Sequence, residues 1–298
     1  MSKIIIYKEN LINNLKIITE HVKKRDKFAV VLKDNAYGHG LKEVATICAE
    51  FGIKRAVVRV AREAKEIAHL FEETLVLGGS ESYPDKNISF TVNSFEEIKR
   101  TPQNSSIHLK VDTGMHRNGI DPCELKQALE SIVSSKIELK GVFTHNKEGD
   151  ELSSALFWQQ KNFSTIKSKV CEFCDAKGIK RPLFHSLSSS GAFRTNEIDD
   201  DFVRIGIAMY GYLEWDEVFG DIGLRPVMEL RANKVASRSL KKGARIGYGG
   251  TFRADRDMVV TSYDIGYGDG FFRANEWIKA SIEDGREILG RVSMDYLS

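Results

Sequence analysis

The sequence predicts an α/β fold: a (β/α)8 barrel of the TIM type followed by a mostly β C-terminal domain. Three observations predict it. About eight short apolar runs occur in the first two-thirds of the chain, amphipathic stretches separate most of them, and helical periodicity fades after about Gly223. Parallel strands joined by helices follow from the first two, because a strand–helix–strand unit crosses over right-handed and sets its strands side by side. A closed barrel fits the strand count and the length of 298 residues. An open doubly wound sheet fits the same alternation, and periodicity alone does not separate the two.

The candidate strands are residues 28–32, 55–58, 74–77, 88–92, 107–111, 139–144, 183–187 and 202–205. Helical patterns fill 41–51, 61–71, 94–100, 124–133 and 152–177, and Asn10 is a candidate cap for a first helix over 11–22. Beyond Gly223 the segments 227–239, 258–263 and 278–283 alternate or are β-rich, between turn signals such as Lys242-Gly243 and Gly268-Asp269-Gly270. The domains expected are therefore a barrel over 1–222 and a β domain over 223–298.

Composition narrows the function classes. Hydrophobic residues make up 42% and charged residues 29%, as in ordinary globular proteins. The net charge of +2, with acids and bases interleaved, argues against a nucleic-acid binder. No apolar run reaches membrane-spanning length, and the N-terminus lacks the apolar core of a signal peptide. With four cysteines that do not suggest a disulfide framework, a cytoplasmic location is expected. Cys171 and Cys174 have C-x-x-C spacing, but three-residue spacing in an amphipathic stretch places two small apolar side chains on one helix face, and no second pair completes a zinc site. No metal is expected.

The segment with most chemistry in it is Val-Val-Leu-Lys-Asp-Asn-Ala-Tyr-Gly-His-Gly, residues 30–40. A lysine directly after a barrel strand stands at the C-terminal strand end, where sites are built. Partial desolvation there lowers a lysine's pKa and makes it a better imine-forming nucleophile. By itself Lys33 reads better as a surface lysine that snorkels off a strand. Two glycines around His39 allow close approach of a ligand, and Tyr37 offers a hydroxyl that reaches a phosphate.

This segment resembles the pyridoxal-phosphate lysine signature of alanine racemases. The resemblance continues in order through Leu-Lys-Val-Asp-Thr-Gly-Met-His-Arg-Asn-Gly (109–119), Phe-Thr-His (143–145), Phe-His-Ser-Leu-Ser-Ser-Ser (184–190), Val-Arg-Ile-Gly-Ile-Ala-Met-Tyr-Gly (203–211), Asp-Ile-Gly-Tyr-Gly-Asp-Gly-Phe-Phe-Arg (264–273) and Gly-Arg-Val-Ser-Met-Asp (290–295). It implies pyridoxal 5′-phosphate as cofactor, interconversion of L- and D-alanine for cell-wall peptidoglycan, and a homodimer whose active sites are shared between subunits. Lys33 is then the Schiff-base lysine and one catalytic base, and Tyr267 is the other, contributed by the partner subunit. Tyr37, Ser189, Gly206 and Ile207 contact the cofactor phosphate. Arg117 meets the phenolic oxygen and orients substrate. Arg204 faces the pyridine nitrogen, His145 links Tyr267 to Arg204, and the Met294 backbone meets the substrate carboxylate. Lys110 resembles a lysine that is carbamylated in some members. Two positions depart from the pattern: Asp34 stands where a small residue is usual, and Ser188 where Asn is usual.

Each site residue also has a plainer reading. Asp112 and Arg117 could be a surface ion pair, His145 a structural strand-end histidine, 188–190 a Ser-rich loop and Tyr267 a turn tyrosine. Three other activities compete with alanine racemisation: a pyridoxal-phosphate carrier without turnover, a decarboxylase of basic amino acids, and a racemase of serine or another small amino acid. The carrier reading fits poorly with the Tyr267 and Met294 segments. The sequence stops at Ser298, just past the Met294-Asp295 motif, so an incomplete β domain is expected.

Overall fold

The computed structural model describes residues 2–78, 81–195, 197–213, 218, 220–273 and 285–298. The chain forms two compact units, Tyr7–Val227 and a second made of Met1–Ile6 with Met228–Ser298. The division thus falls after Val227 rather than between 222 and 223, and the first strand, β1 (Lys3–Ile6), belongs to the second unit.

In the larger unit, α1 (Lys8–Val22) buries Leu11, Leu15, Ile18 and Val22, an apolar stripe at three- and four-residue spacing. The helix starts two residues before Asn10, so Asn10 is not its cap; its amide instead donates to the Pro226 carbonyl at 2.7 Å. Eight parallel strands follow: β2 (Phe28–Val31), β3 (Arg55–Val58), β4 (Glu73–Val76), β5 (Ile88–Val92), β6 (Ser106–Lys110), β7 (Glu138–Phe143), β8 (Leu183–His185) and β9 (Val203–Ile205). Each pairs with its neighbour in sequence from β2 to β8, and β9 returns beside β2. The two ends of this ladder meet, because Asp201 N–H donates to the Phe184 carbonyl and Arg204 N–H to the Leu187 carbonyl, both at 2.9 Å. The sheet therefore closes as a barrel and not as an open doubly wound sheet.

A one-turn segment, α2 (Lys33–Tyr37), follows β2; then come α3 (Leu41–Phe51), α4 (Ala61–Ile67), α5 (Phe95–Arg100), α6 (Leu125–Ser134), α7 (Ala155–Lys177) and the short α8 (Ser189–Phe193). Two apolar layers result from the period of two along the strands. Ala29, Val31, Val57, Leu75 and Phe202 gather inside the barrel, joined by Leu77 and Leu183. Val92, Leu109, Val111 and Val142 pack with Leu125, Leu129, Phe163, Ile166 and Val170 of the helices outside it. Cys174 is buried in this outer layer and Cys171 packs against it, the apolar role their spacing suggested.

Some boundaries differ from the expected ones. The helix expected over 61–71 ends at Ile67 and continues as a 3-10 turn, Ala68–Leu70, and the strand expected over 183–187 ends at His185. Its continuation is replaced by contacts of Ser186 with Asp200, whose carboxylate accepts both the Ser186 N–H and its hydroxyl at 2.6 Å.

In the second unit the stretch expected over 227–239 is two strands, β10 (Met228–Arg231) and β11 (Lys234–Leu240). After them come β12 (Arg245–Ile246), β13 (Phe252–Arg253) and β14 (Met258–Tyr263). β1 pairs antiparallel with β10, β11 with β14, and β12 with β13. Ile265, Val292 and Leu297 make its small core. The strand expected over 278–283 lies outside the described residues.

Candidate active site

The C-terminal ends of the barrel strands surround a cavity of about 260 Å³. Lys33, Tyr37, Arg117, His145, Ser189, Arg204, Gly206 and Ile207 all line it, and Lys110, Asn93, Asn118 and Ser188 join them. Position along the strands explains much of the grouping. Lys33 lies two residues past Val31, His145 two past Phe143, and Gly206 one past Ile205, so each stands just beyond the C-terminal end of its strand.

Lys33 is placed by an unusual turn. Asp34, Asn35, Ala36 and Tyr37 have φ of 54°, 57°, 53° and 55°, a left-handed turn of non-glycine residues. Left-handed helical backbone costs roughly 1–2 kcal/mol per residue for L-amino acids, with Asn and Asp the most tolerant. The surroundings hold it: the Asn35 N–H donates to Glu63 at 3.1 Å, and the Asn35 side-chain oxygen accepts from Leu41 N–H at 2.9 Å. The other Glu63 oxygen accepts from Arg59 N–H at 2.9 Å, tying the turn to the next strand loop. Asp34, a departure from the usual small residue, suits this backbone, and its exposed carboxylate meets Arg59 at 2.9 Å.

The turn delivers Tyr37 across the cavity. Its ring packs on Tyr210 with centroids 5.0 Å apart, and the Lys33 amine stands 5.7 Å from its centre. A Cβ on Gly206 would come within 2.8 Å of the Tyr37 hydroxyl oxygen, so a larger residue there would push the end of the Tyr37 side chain aside. Beside it the Ser189 hydroxyl accepts from Gly206 N–H at 3.1 Å and from Ala208 N–H at 3.4 Å. A tyrosine hydroxyl, a serine hydroxyl and backbone N–H groups around a glycine form a polar corner of the cavity.

The electrostatics are one-sided. Four cationic side chains, Lys33, Lys110, Arg117 and Arg204, line the cavity, and among its described lining residues there is no carboxylate. Burial, reinforced by Arg117 and Arg204, pulls the Lys110 amine down to about 8. Burial and the charges of Arg204, Arg117, Lys110 and Lys33 push His145 down to about 3, so its ring is neutral at pH 7. Arg204 reaches His145 Nδ1 at 3.4 Å, which leaves the proton on the other ring nitrogen. Arg204 also donates to the Thr144 carbonyl at 2.8 Å and the Ser186 carbonyl at 3.0 Å. Burial brings it to about 10, still charged near neutrality. Asp112 does not act as a partner of Arg117: its carboxylate accepts the N–H groups of Gly114, Met115 and His116 at 2.9, 2.9 and 3.2 Å and shapes the loop that carries Arg117.

Tyr267 and Met294 lie in the second unit, close to each other. The Tyr267 N–H donates to the Ser293 carbonyl at 3.0 Å and Gly268 N–H to the Met294 carbonyl at 2.8 Å. Both side chains are exposed, and a Cβ on Gly266 would sit 2.3 Å from the Met294 oxygen. Sequence reasoning assigned no role to Glu63, Asn93 or Asn118. Asn93 had a usable signal, being two residues past Thr91 on the inward face of β5.

The sequence profile described as "Alanine racemase, N-terminal domain" matches residues 6–214, and that described as "Alanine racemase, C-terminal domain" matches 227–298. The alanine racemase of a Nitratiruptor species is 44% identical over 295 residues, covering 99% of this chain and 86% of the relative. The crystal structure of the Bacillus anthracis alanine racemase with bound L-Ala-P is 27% identical, with a TM-score of 0.84 over 99% of this chain and 81% of the other. That of Bartonella henselae, with covalently bound pyridoxal phosphate, shares the fold at a TM-score of 0.78 over 99% of this chain and 84% of its own, at 24% identity. A closed barrel with a strand-end lysine in a pocket lined by four cationic side chains, followed by a β domain, fits the barrel-type pyridoxal-phosphate enzymes that these relatives represent. The chain belongs to the alanine racemase family.

Proposed function

We propose that this chain interconverts L-alanine and D-alanine with pyridoxal 5′-phosphate as cofactor, the family's supply of D-alanine for peptidoglycan. The observation that carries the reading is the cavity wall of Lys33, Lys110, Arg117 and Arg204 without an opposing carboxylate among the described lining residues. Such a wall attracts a phosphate and an amino-acid carboxylate together. In this reading Lys33 holds the cofactor's aldehyde carbon, and Tyr37, Ser189 and the N–H groups of Gly206 and Ile207 hold its phosphate. When bound, the cofactor ring delocalises the electron pair left as the amino acid loses its Cα proton.

Inversion requires proton transfer on both faces of a planar carbon, so one base is insufficient. With its amine freed once the substrate's amine takes its place on the cofactor, Lys33 would move the proton on one face and Tyr267 on the other. Arg117 and the Met294 backbone orient the substrate carboxylate. Arg204 keeps its own charge and so discourages a proton on a facing ring nitrogen, which favours proton return over side reactions. His145, neutral and an acceptor from Arg204, has one N–H left to offer a tyrosine oxygen. The protein acts as a homodimer in the cytoplasm, each site completed by the partner's tyrosine, with the barrel binding cofactor and the β domain supplying the second base.

The test supplies the purified chain with pyridoxal phosphate and follows D-alanine formed from L-alanine, with L-serine in parallel. Conversion of alanine well above serine is the expected result. Cofactor bound through Lys33 with neither amino acid racemised would establish a carrier instead, and preferred conversion of serine would reassign the substrate.

A further inference from the structure

Behind Arg204 a chain of polar side chains runs through the barrel interior, away from the cavity. Arg204 Nη1 meets His185 Nδ1 at 2.5 Å, His185 Nε2 meets His108 Nδ1 at 2.8 Å, and His108 Nε2 meets Glu73 Oε1 at 3.0 Å. Ser89 donates its hydroxyl to the same Glu73 oxygen at 2.7 Å, and Arg55 Nε lies 3.6 Å from the other. Both histidines are fully buried. The structure makes room for them: a Cβ on Gly141 would lie 2.2 Å from His108 Nδ1. The His185 ring is held between Phe143 and Phe202, with centroids 4.7 and 4.3 Å away.

Only one arrangement of protons satisfies these contacts. A guanidinium donates and never accepts, so His185 Nδ1 is bare and its proton is on Nε2. That N–H donates to His108 Nδ1, which must be bare in turn. His108 then carries its proton on Nε2 and donates to the Glu73 carboxylate. A doubly protonated His108 would set two N–H groups against each other. Burial, with the charges of Arg204 and Arg55, also drives His185 far below its ordinary value. Burial raises the Glu73 carboxyl, while the hydrogen bonds it accepts from His108 and Ser89, with the charge of Lys140, favour its ionised form. Asp200 is a second carboxylate near Arg204, reached through Ser186 and shared with Lys167 at 2.8 Å.

We propose that Glu73, His108 and His185 are positioning residues for Arg204, a one-way donor chain that ends on Glu73 and fixes the guanidinium at the cofactor site. This role for Arg204 rests on the racemase reading; the direction of the chain does not. A planar cation with five donors has several near-equal orientations in a polar pocket. An acceptor of fixed tautomer at one nitrogen, with the Thr144 and Ser186 carbonyls at another, leaves it one.

Nitrogen-15 NMR of histidine-labelled holoenzyme reads the tautomers directly. Both His108 and His185 are expected as neutral rings with the proton on Nε2. A Nδ1–H tautomer or a cationic ring at either position overturns the chain. Glu73→Leu removes the terminal acceptor and Glu73→Gln restores one. The expected loss in kcat for Glu73→Leu is about 10- to 100-fold with little change in KM, the scale seen when outer partners of a site residue are removed. Glu73→Gln should recover to within roughly threefold of wild type. A folded Glu73→Leu variant with wild-type kcat, or equal losses in both variants, contradicts the positioning role. If Glu73→Leu does not fold, the wild-type tautomers and Glu73→Gln decide. Tautomers as expected in a wild-type protein without racemisation defeat the racemase reading and leave the chain intact.

Discussion

His145 shows how far the site's charges act on one residue. Four cations and burial hold its ring neutral down to about pH 3, whereas the unfolded chain protonates it near its ordinary 6.5. The unfolded state therefore binds more protons between these values, and stability falls as pH drops through that window. The same sign applies to His185 and His39, both lowered chiefly by burial. Thermal melts of wild type should lose stability from about pH 6.5 to pH 5, and His145→Gln should show a shallower loss. An unchanged slope would mean that His145 already carries a proton in the fold. Gly206 makes the second residue-scale prediction. A methyl there meets the Tyr37 hydroxyl at 2.8 Å, and relieving such overpacking costs about 1–3 kcal/mol. Gly206→Ala should weaken pyridoxal phosphate binding about 5- to 150-fold in an equilibrium titration, with the barrel still folded. Wild-type affinity would remove Gly206 from the phosphate cradle.

At the scale of elements, the left-handed turn after β2 depends on Glu63, which no local feature of the turn reveals. Glu63 is buried and accepts the N–H of Asn35 from one loop and those of Arg59 and Val60 from the other. Glu63→Ala should cost roughly 1–3 kcal/mol in urea unfolding, because the N–H groups of Asn35, Arg59 and Val60 lose their acceptor. It should also reduce cofactor occupancy, since the turn places Lys33 and Tyr37. A change below about 0.5 kcal/mol would show that the turn holds itself. The strands and most helices of the barrel were legible because periods of two and of three to four are local. The closure of β8 on β9 was not, since it depends on backbone groups of residues 184, 187, 201 and 204 meeting across the barrel. Lys33 and Arg204 were legible because dense motifs surround them. His108 and Glu73 stood in plain strands, and their chemistry exists only once β4, β6 and β8 bring them together. The β1–β10 pair was missed for the same reason, because its partners lie at opposite ends of the chain.

For the whole molecule, the proposed dimer has a consequence that single variants cannot show. If Lys33 of one subunit works with Tyr267 of the other, a Lys33→Ala/Tyr267→Phe heterodimer keeps one intact site. Random reassociation of the two inactive homodimers should then restore about a quarter of wild-type activity, half the dimers having one site of two. No recovery from a verified mixture would place both bases in one subunit. The most direct test of the central claim is the covalent one. Holoenzyme is treated with borohydride to trap bound pyridoxal phosphate, digested, and mapped by peptide mass spectrometry. The pyridoxyl mass is expected on Lys33 alone, and none on this peptide in Lys33→Ala. A label on Lys110 or another lysine, or D-alanine formation at wild-type rate by Lys33→Ala, would contradict it.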